Sequence, residues 1–262
     1  MPGRADLNSD ANPTVGPVKV VAVIPARWAS VRFPGKPLAL LAGKPVIVHV
    51  CQQAKKAKHV QAIIVATDDQ RIMDVVNAAG FSARLTRADH VNGTSRIAEV
   101  AATLDAEIIV NVQGDEPRIE PELIDLAIES LLNAGKEVPM STVASPFMPD
   151  EDVNDPNLVK VVVGANGRAL YFSRSRIPFH RVGAPTASEP LKHVGLYVYR
   201  REFLPLFVAL APTALEQTEQ LEQLRVLEHG YAIAVAVGTA RFHGVDTPQQ
   251  LEKLEARPPL RD

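Results

Sequence analysis

Three continuous apolar runs, at 19–24, 62–67 and 107–112, have the unbroken hydrophobicity of strands buried on both faces. Between and after them the apolar positions recur at helical spacing. Val46, Val50 and Ala54 or Ala57 predict a helix over 46–58; Ile72, Val75, Val76 and Ala79 predict another, closed by Gly80. A short strand at 81–85 leads into the polar segment 86–96, a helix follows to about Leu104, and 121–132 is a further helix. Strands alternating with helices predict an α/β fold with a doubly wound, mostly parallel, Rossmann-like sheet and right-handed crossovers.

The rhythm changes in the second half. Residues 140–145, 158–163, 169–173 and 192–199 read as strands without long helices between them, and Asn166-Gly167 predicts a hairpin joining the second to the third. This is a smaller mixed-sheet extension, inserted into or beside the first sheet. Leu221, Leu224 and Leu227 predict one helix over 215–229, ended by Gly230. A strand at 233–237, a turn at 244–248 and a short helix close the chain. Asp246 or Thr247 can cap that helix, with Pro248 in its first turn.

Composition narrows the class. The 262 residues are 46% hydrophobic and 22% charged with a net charge of −2, which suits one large α/β domain and argues against nucleic-acid binding. The single cysteine, Cys51, lies in an apolar run and reads as a buried, inert thiol in a reducing compartment. Residues 1–17 read as a disordered leader, not a signal peptide, and no apolar run approaches the roughly 18 residues of a membrane span. The expectation is a cytoplasmic protein.

The chemistry is expected at the strand ends. After the first strand, 25–37 carries Arg27, Arg32 and Lys36 among Pro25, Pro34, Gly35 and Pro37. A cationic loop with fixed conformation at the carboxyl end of a buried strand suits a polyphosphate, although a basic surface turn has the same composition. Asp68-Asp69, 113–116 and the turn at Asp246 can meet it on one crevice. Asp115, between Gly114 and Pro117, is a candidate Mg²⁺ ligand, with Asp246 the second if its turn reaches the same edge; as plain turn and cap residues both have ordinary roles too. Thr94 can read a base or ribose, or cap a helix. No phosphate-loop, dinucleotide or nucleophile-elbow motif is present.

In order along the chain come Val23-Ile24-Pro25-Ala26-Arg27, Pro34-Gly35-Lys36-Pro37, Gly43-Lys44-Pro45, Val65-Ala66-Thr67-Asp68, Thr86-Arg87-Ala88-Asp89-His90 and Asn111-Val112-Gln113-Gly114-Asp115-Glu116-Pro117. Tyr171-Phe172-Ser173-Arg174, Ile177-Pro178, His193-Val194-Gly195-Leu196-Tyr197, Leu221-Glu222-Gln223-Leu224-Arg225 and Gly244-Val245-Asp246-Thr247-Pro248 follow. This set, spanning about 19–256, resembles the sugar-nucleotide cytidylyltransferases, on the branch that activates the eight-carbon acid sugar 3-deoxy-manno-octulosonate (Kdo).

The resemblance implies the nucleotidyltransferase fold and a Mg²⁺-dependent transfer of CMP from CTP to Kdo for lipopolysaccharide biosynthesis, in a homodimer. It implies one domain over 18–262, with about 18–138 and 230–258 as nucleotide-binding core and about 139–229 as the sugar-binding and dimerisation extension. By resemblance Ala26, Arg27, Ser30, Arg32, Lys36, Arg87, Gly93, Thr94 and Gln113 bind CTP, with Lys36, Arg27 and Asp115 catalytic. Asp115 and Asp246 hold Mg²⁺, and Arg174, His193, Tyr197, Glu222 and Gln223 hold the sugar. The sequence departs from the family at Asn92-Gly93-Thr94-Ser95-Arg96, where Ser95 replaces an acidic residue. Alternatives are another nucleotide or acid sugar, including 8-amino-Kdo, or a non-catalytic nucleotide-binding module that kept the fold.

Overall fold

The computed structural model describes residues 19–29, 32–182, 188–239 and 244–256; the leader at 1–17 and Ser30 lie outside them. The first half runs β1 (Val20–Ala26), a two-stranded ribbon β2 (Leu40–Leu41) and β3 (Lys44–Pro45), α1 (Val46–Lys56), β4 (Ala62–Thr67), α2 (Gln70–Ala78), β5 (Ser82–Leu85), α3 (Gly93–Ala101), β6 (Ile108–Asn111) and α4 (Pro121–Asn133). The second half runs β7 (Met140–Pro146), β8 (Lys160–Val163), β9 (Ala169–Ser173), β10 (Leu191–Arg200), α5 (Phe203–Ala209), α6 (Ala214–Glu219), α7 (Gln223–Glu228), β11 (Ile233–Val237) and α8 (Pro248–Glu255).

Along the main sheet the strands lie in the order β11-β7-β10-β6-β1-β4-β5, with β8 pairing β10 and β9 pairing β8. β1 is parallel to both β4 and β6, and β4 to β5. β10 is antiparallel to β6 and β7, so the second half is inserted into the sheet and extends it. Apolar alternation on β1 explains the two layers. Ala22 and Ile24 face Ile47, Cys51, Ile72 and Ile124 from α1, α2 and α4. Val21 and Val23 face Ile97 and Val100 of α3 and, farther along, Phe207 of α5 and Leu224 of α7. Cys51 is fully buried, and burial pushes its thiol up to about 12, so it stays protonated.

After β1 the chain crosses to β4 on one side and later to β6 on the other. The carboxyl ends of β1 and β6 therefore flank a switch point, where an open α/β sheet leaves a crevice.

Two local expectations are corrected and one helix is added. The helix over 215–229 is two helices, broken where Gln220 adopts left-handed geometry (φ 53°) and the Leu221 N–H reaches back 3.2 Å to the Glu216 carbonyl. That break seats Leu221 and Leu224 in the core. α5 lies where the sequence reading places no element; its Pro205 falls in the first turn, where the missing N–H costs no helical bond. α3 begins at Gly93, and its cap is Asn92, whose side chain accepts from the Ser95 N–H; Thr94 is not the cap. The Asn166-Gly167 hairpin is present, with Gly167 at φ 72°. Thr247 is the cap of α8, leaving the Asp246 carboxylate for other partners.

Candidate active site

A cleft of about 450 Å³ opens at the carboxyl edge of β1 and β6. Its walls come from the cationic loop (Ala26, Arg27, Arg32, Lys36), from 90–93 and Arg96, and from Gln113, Gly114, Asp115 and Asp246. Hydrophobic packing behind these walls joins segments remote in sequence. Buried Leu41, Val46, Val245 and Leu254 form a small cluster, and Phe33 of the cationic loop packs against it. The Val245 N–H then donates to the Asp115 carbonyl at 2.8 Å, fastening the turn before α8 to the turn after β6.

The charges converge as a result. Lys36 Nζ donates to Asp115 Oδ2 at 2.6 Å and to Asp246 Oδ1 at 3.2 Å, and Arg32 pairs with the same Asp246 oxygen at 3.1 Å. Lys36 is 14% exposed, so its ammonium is held in a partly desolvated site where Coulomb attraction is stronger than in water. The turn just before it is pinned at Gly35. Gly35 takes φ 72°, its N–H donates to the Trp28 carbonyl, and the Trp28 ring covers it so closely that a Cβ would lie 2.9 Å from the ring. Arg71 stacks on the outer face of Trp28, 3.4 Å from the ring centre.

Of the other strand-end acids, Asp68 pairs with buried Arg96 at 2.8 Å and accepts from the Trp28 N–H, tying the cationic loop to α3. Asp69 caps α2 and bonds Arg71 instead of entering the cleft.

Two carboxylates sharing one cation are a donor set suited to Mg²⁺, which takes one or two carboxylates and completes its shell with phosphate and water oxygens. Among the described residues no group of three or more His, Cys, Asp and Glu could hold a metal on its own, so phosphate oxygens would have to complete the site.

The residues assigned to the sugar lie next to the cleft and farther along the sheet. Glu222, at the start of α7, accepts from Asn92 Nδ2 and from the Thr94 hydroxyl, both at 2.6 Å. Burial outweighs those two donors and raises its carboxyl pKa. Gln113 Nε2 donates to Asn111, which opposes Tyr197 across β6 and β10. His193 meets Phe172 edge-on (5.0 Å) and Tyr197 at a tilt (5.4 Å). Gln223 is buried at the first turn of α7.

Three assignments stand apart. Arg174 spends its guanidinium on the carbonyls of Glu219, Pro156 and Gln220, closing the corner between α6 and α7. Arg87 is exposed and pairs with Glu99 at 3.4 Å. Thr94 is buried, its hydroxyl given to Glu222. Where the family has an acid, the Ser95 hydroxyl bonds the Asn92 carbonyl and His90 Nδ1.

The Cytidylyltransferase family model matches residues 21–233, covering both the cationic loop and the Glu222 cluster. The chain belongs to the cytidylyltransferase family. The 3-deoxy-manno-octulosonate cytidylyltransferase of Pelobacter propionicus is 52% identical over 92% of this chain and 97% of its own. The protein of the same name from Trichlorobacter lovleyi is 51% identical over 92% and 98%. A solved CMP:2-keto-3-deoxy-manno-octonic acid synthetase in complex with CTP superposes with a TM-score of 0.85 at 42% identity, covering 91% of this chain and 97% of that one. No described helix of this cytidylyltransferase is long and apolar enough to cross a membrane.

A buried acid behind the cleft of this cytidylyltransferase is not assigned a role from sequence, and neither are Asn92 and Arg96 in its lining. Glu116 is buried directly behind Asp115, and desolvation together with that neighbouring charge holds its carboxyl well above the ordinary range. Its position after Asp115 in a strand-end turn was the available signal; its burial was not.

Proposed function

We propose that this enzyme transfers CMP from CTP to the anomeric C2 hydroxyl of Kdo, giving CMP-Kdo and diphosphate and so activating the sugar for lipopolysaccharide assembly. The observation that carries the reading is the convergence of Asp115 and Asp246 on Lys36, each within hydrogen-bond distance of its ammonium, at the edge where the cationic loop opens. In the reaction the C2 oxygen bonds to the α-phosphorus, the bond from that phosphorus to the bridging oxygen breaks, and the hydroxyl proton leaves to solvent. Such a transfer needs positioning and charge neutralisation more than a protein nucleophile.

In this reading Arg27, Arg32 and Lys36 hold the triphosphate. Lys36 turns from the aspartates toward the β- and γ-phosphates and stabilises the charge gathering on diphosphate. Ala26, Gly93 and Gln113 line the nucleoside end, and Ser30 belongs to the same loop. Asp115 and Asp246 would hold Mg²⁺. When bound, Mg²⁺ polarises the α-phosphate and lowers the repulsion met by the incoming oxygen. His193, Tyr197, Glu222 and Gln223 bind the sugar hydroxyls and carboxylate end. Arg174 serves by shaping the corner that carries Glu222, and Arg87 with Thr94 by fixing the segment around the base. A cytoplasmic homodimer completes the proposal, supported by the family resemblance.

Diphosphate release across pairs of nucleotide and acid sugar tests it. Release with CTP and Kdo, exceeding that with UTP or with sialate, is expected. CTP binding without release for any sugar acid would point to a nucleotide-binding module instead.

A further inference from the structure

β10 carries an irregularity beside the cleft. Its register against β7 shifts between Val194 and Tyr197: Val194 pairs with Val143, while Tyr197 pairs with the next residue back, Thr142. Extra residues at such a bulge lose ladder partners and re-aim their side chains. Here the loss is made good by one buried hydroxyl. Thr142 Oγ1 lies 2.7 Å from the Leu196 carbonyl, 3.2 Å from the Val194 carbonyl and 2.9 Å from His193 Nε2.

A hydroxyl has one proton and two lone pairs. Carbonyls only accept, so the proton goes to Leu196, the shorter of the two contacts. Toward His193 the oxygen is then an acceptor, and Nε2 must be the protonated nitrogen. Among the described residues nothing hydrogen-bonds the other ring nitrogen, Nδ1. The ring cannot swing freely either, wedged between Phe172 and Tyr197.

We propose that Thr142 is a positioning residue: by giving its proton to the bulge carbonyl of Leu196 it accepts from His193 Nε2, fixing the tautomer in which Nδ1 offers a lone pair to a hydroxyl of the acid sugar. The proposal rests on the reading that the sugar lies along β10. A neutral imidazole is required, and burial supplies it by pushing the His193 pKa down to about 3. Recognition through an acceptor nitrogen distinguishes a sugar hydroxyl, which can donate, from a carboxylate, which cannot. His193 is thereby assigned to the hydroxyl side of the ligand, away from its carboxylate.

Two measurements decide it. In the unaltered protein labelled with ¹⁵N-histidine, the His193 ring should show a protonated Nε2 and an unprotonated Nδ1 at neutral pH; the opposite tautomer or an imidazolium overturns the proposal. With Thr142→Val the KM for Kdo should rise about tenfold, the loss of one hydrogen bond, while the KM for CTP stays within about twofold. Thr142→Ser keeps the hydroxyl and should restore the KM for Kdo. If the unaltered enzyme makes CMP-Kdo and Thr142→Val leaves its KM unchanged, Thr142 has no such role. If the unaltered enzyme makes no CMP-Kdo, the substrate reading fails, and the tautomer measurement alone decides whether Thr142 orients the ring.

Discussion

Lys36 and Asp115 lie 79 positions apart in sequence, yet the Lys36 ammonium is 2.6 Å from the Asp115 carboxylate. The pair is held from both sides. The stack of Trp28 on Gly35 fixes the loop that carries Lys36, and the bond from Val245 to the Asp115 carbonyl fixes the turn that carries the acid. A cation between two carboxylates keeps the site assembled without ligand. In the proposed reaction Asp115 and Asp246 would turn to the metal, leaving Lys36 free to meet phosphate.

Lys36→Ala should therefore lower kcat at least about 100-fold, as loss of one preorganised charge at a developing anion does, with the KM for Kdo little changed. Steady-state diphosphate release checks this. An unchanged kcat would make Lys36 a structural counter-ion only.

Removal of divalent cations with EDTA should abolish turnover, and Mg²⁺ should restore it, if Asp115 and Asp246 act through a metal. Full activity in excess chelator would show that the aspartates serve only to hold Lys36 and Arg32.

Gly114 has no room for a side chain. A Cβ there would lie 2.6 Å from the Pro25 carbonyl oxygen, a backbone atom at the mouth of the cationic loop. Gly114→Ala should cost about 1–3 kcal/mol, as overpacking does, and lower the melting temperature by several degrees. It should reduce kcat/KM as well, because the shift falls between Arg27 and Asp115. A wild-type melting curve would show that the two turns yield without strain.

His193 predicts a pH dependence of stability. Its pKa falls from 6.5 to about 3 in the folded chain through burial, so below pH 6.5 the unfolded chain binds a proton that the fold does not. Its contribution is complete above pH 6.5 and is lost as the pH falls toward 3. Urea midpoints should decline on acidification through this window, and His193→Gln should flatten the decline. Equal slopes for both proteins would mean that the ring is solvated.

The sequence made β1, β4 and β6 legible because strands covered on both faces must be apolar throughout, and it made the cleft legible because proline, glycine and cations cluster at one strand end. Gln220 shows where such reading stops: a non-glycine residue in left-handed geometry is chosen by the burial of Leu221 and Leu224, which the local pattern cannot express. Arg174 shows a second limit. The family resemblance assigns it to the sugar, whereas in the structure its guanidinium bonds the carbonyls at the helix break and that of Pro156. Thr94 and Asn92 illustrate a third: a buried carboxylate, Glu222, takes the Thr94 hydroxyl and the Asn92 amide N–H, and only the Asn92 carbonyl oxygen is left to cap, which a capping pattern does not say.

Binding of Mn²⁺, in place of Mg²⁺, with CTP present is the most direct test of the assembled site. Electron paramagnetic resonance titration should find tight Mn²⁺ binding in the unaltered protein and at least about tenfold weaker binding in both Asp115→Asn and Asp246→Asn, as loss of a carboxylate ligand requires. Unchanged Mn²⁺ affinity in the two variants would contradict a metal–triphosphate site built from these residues.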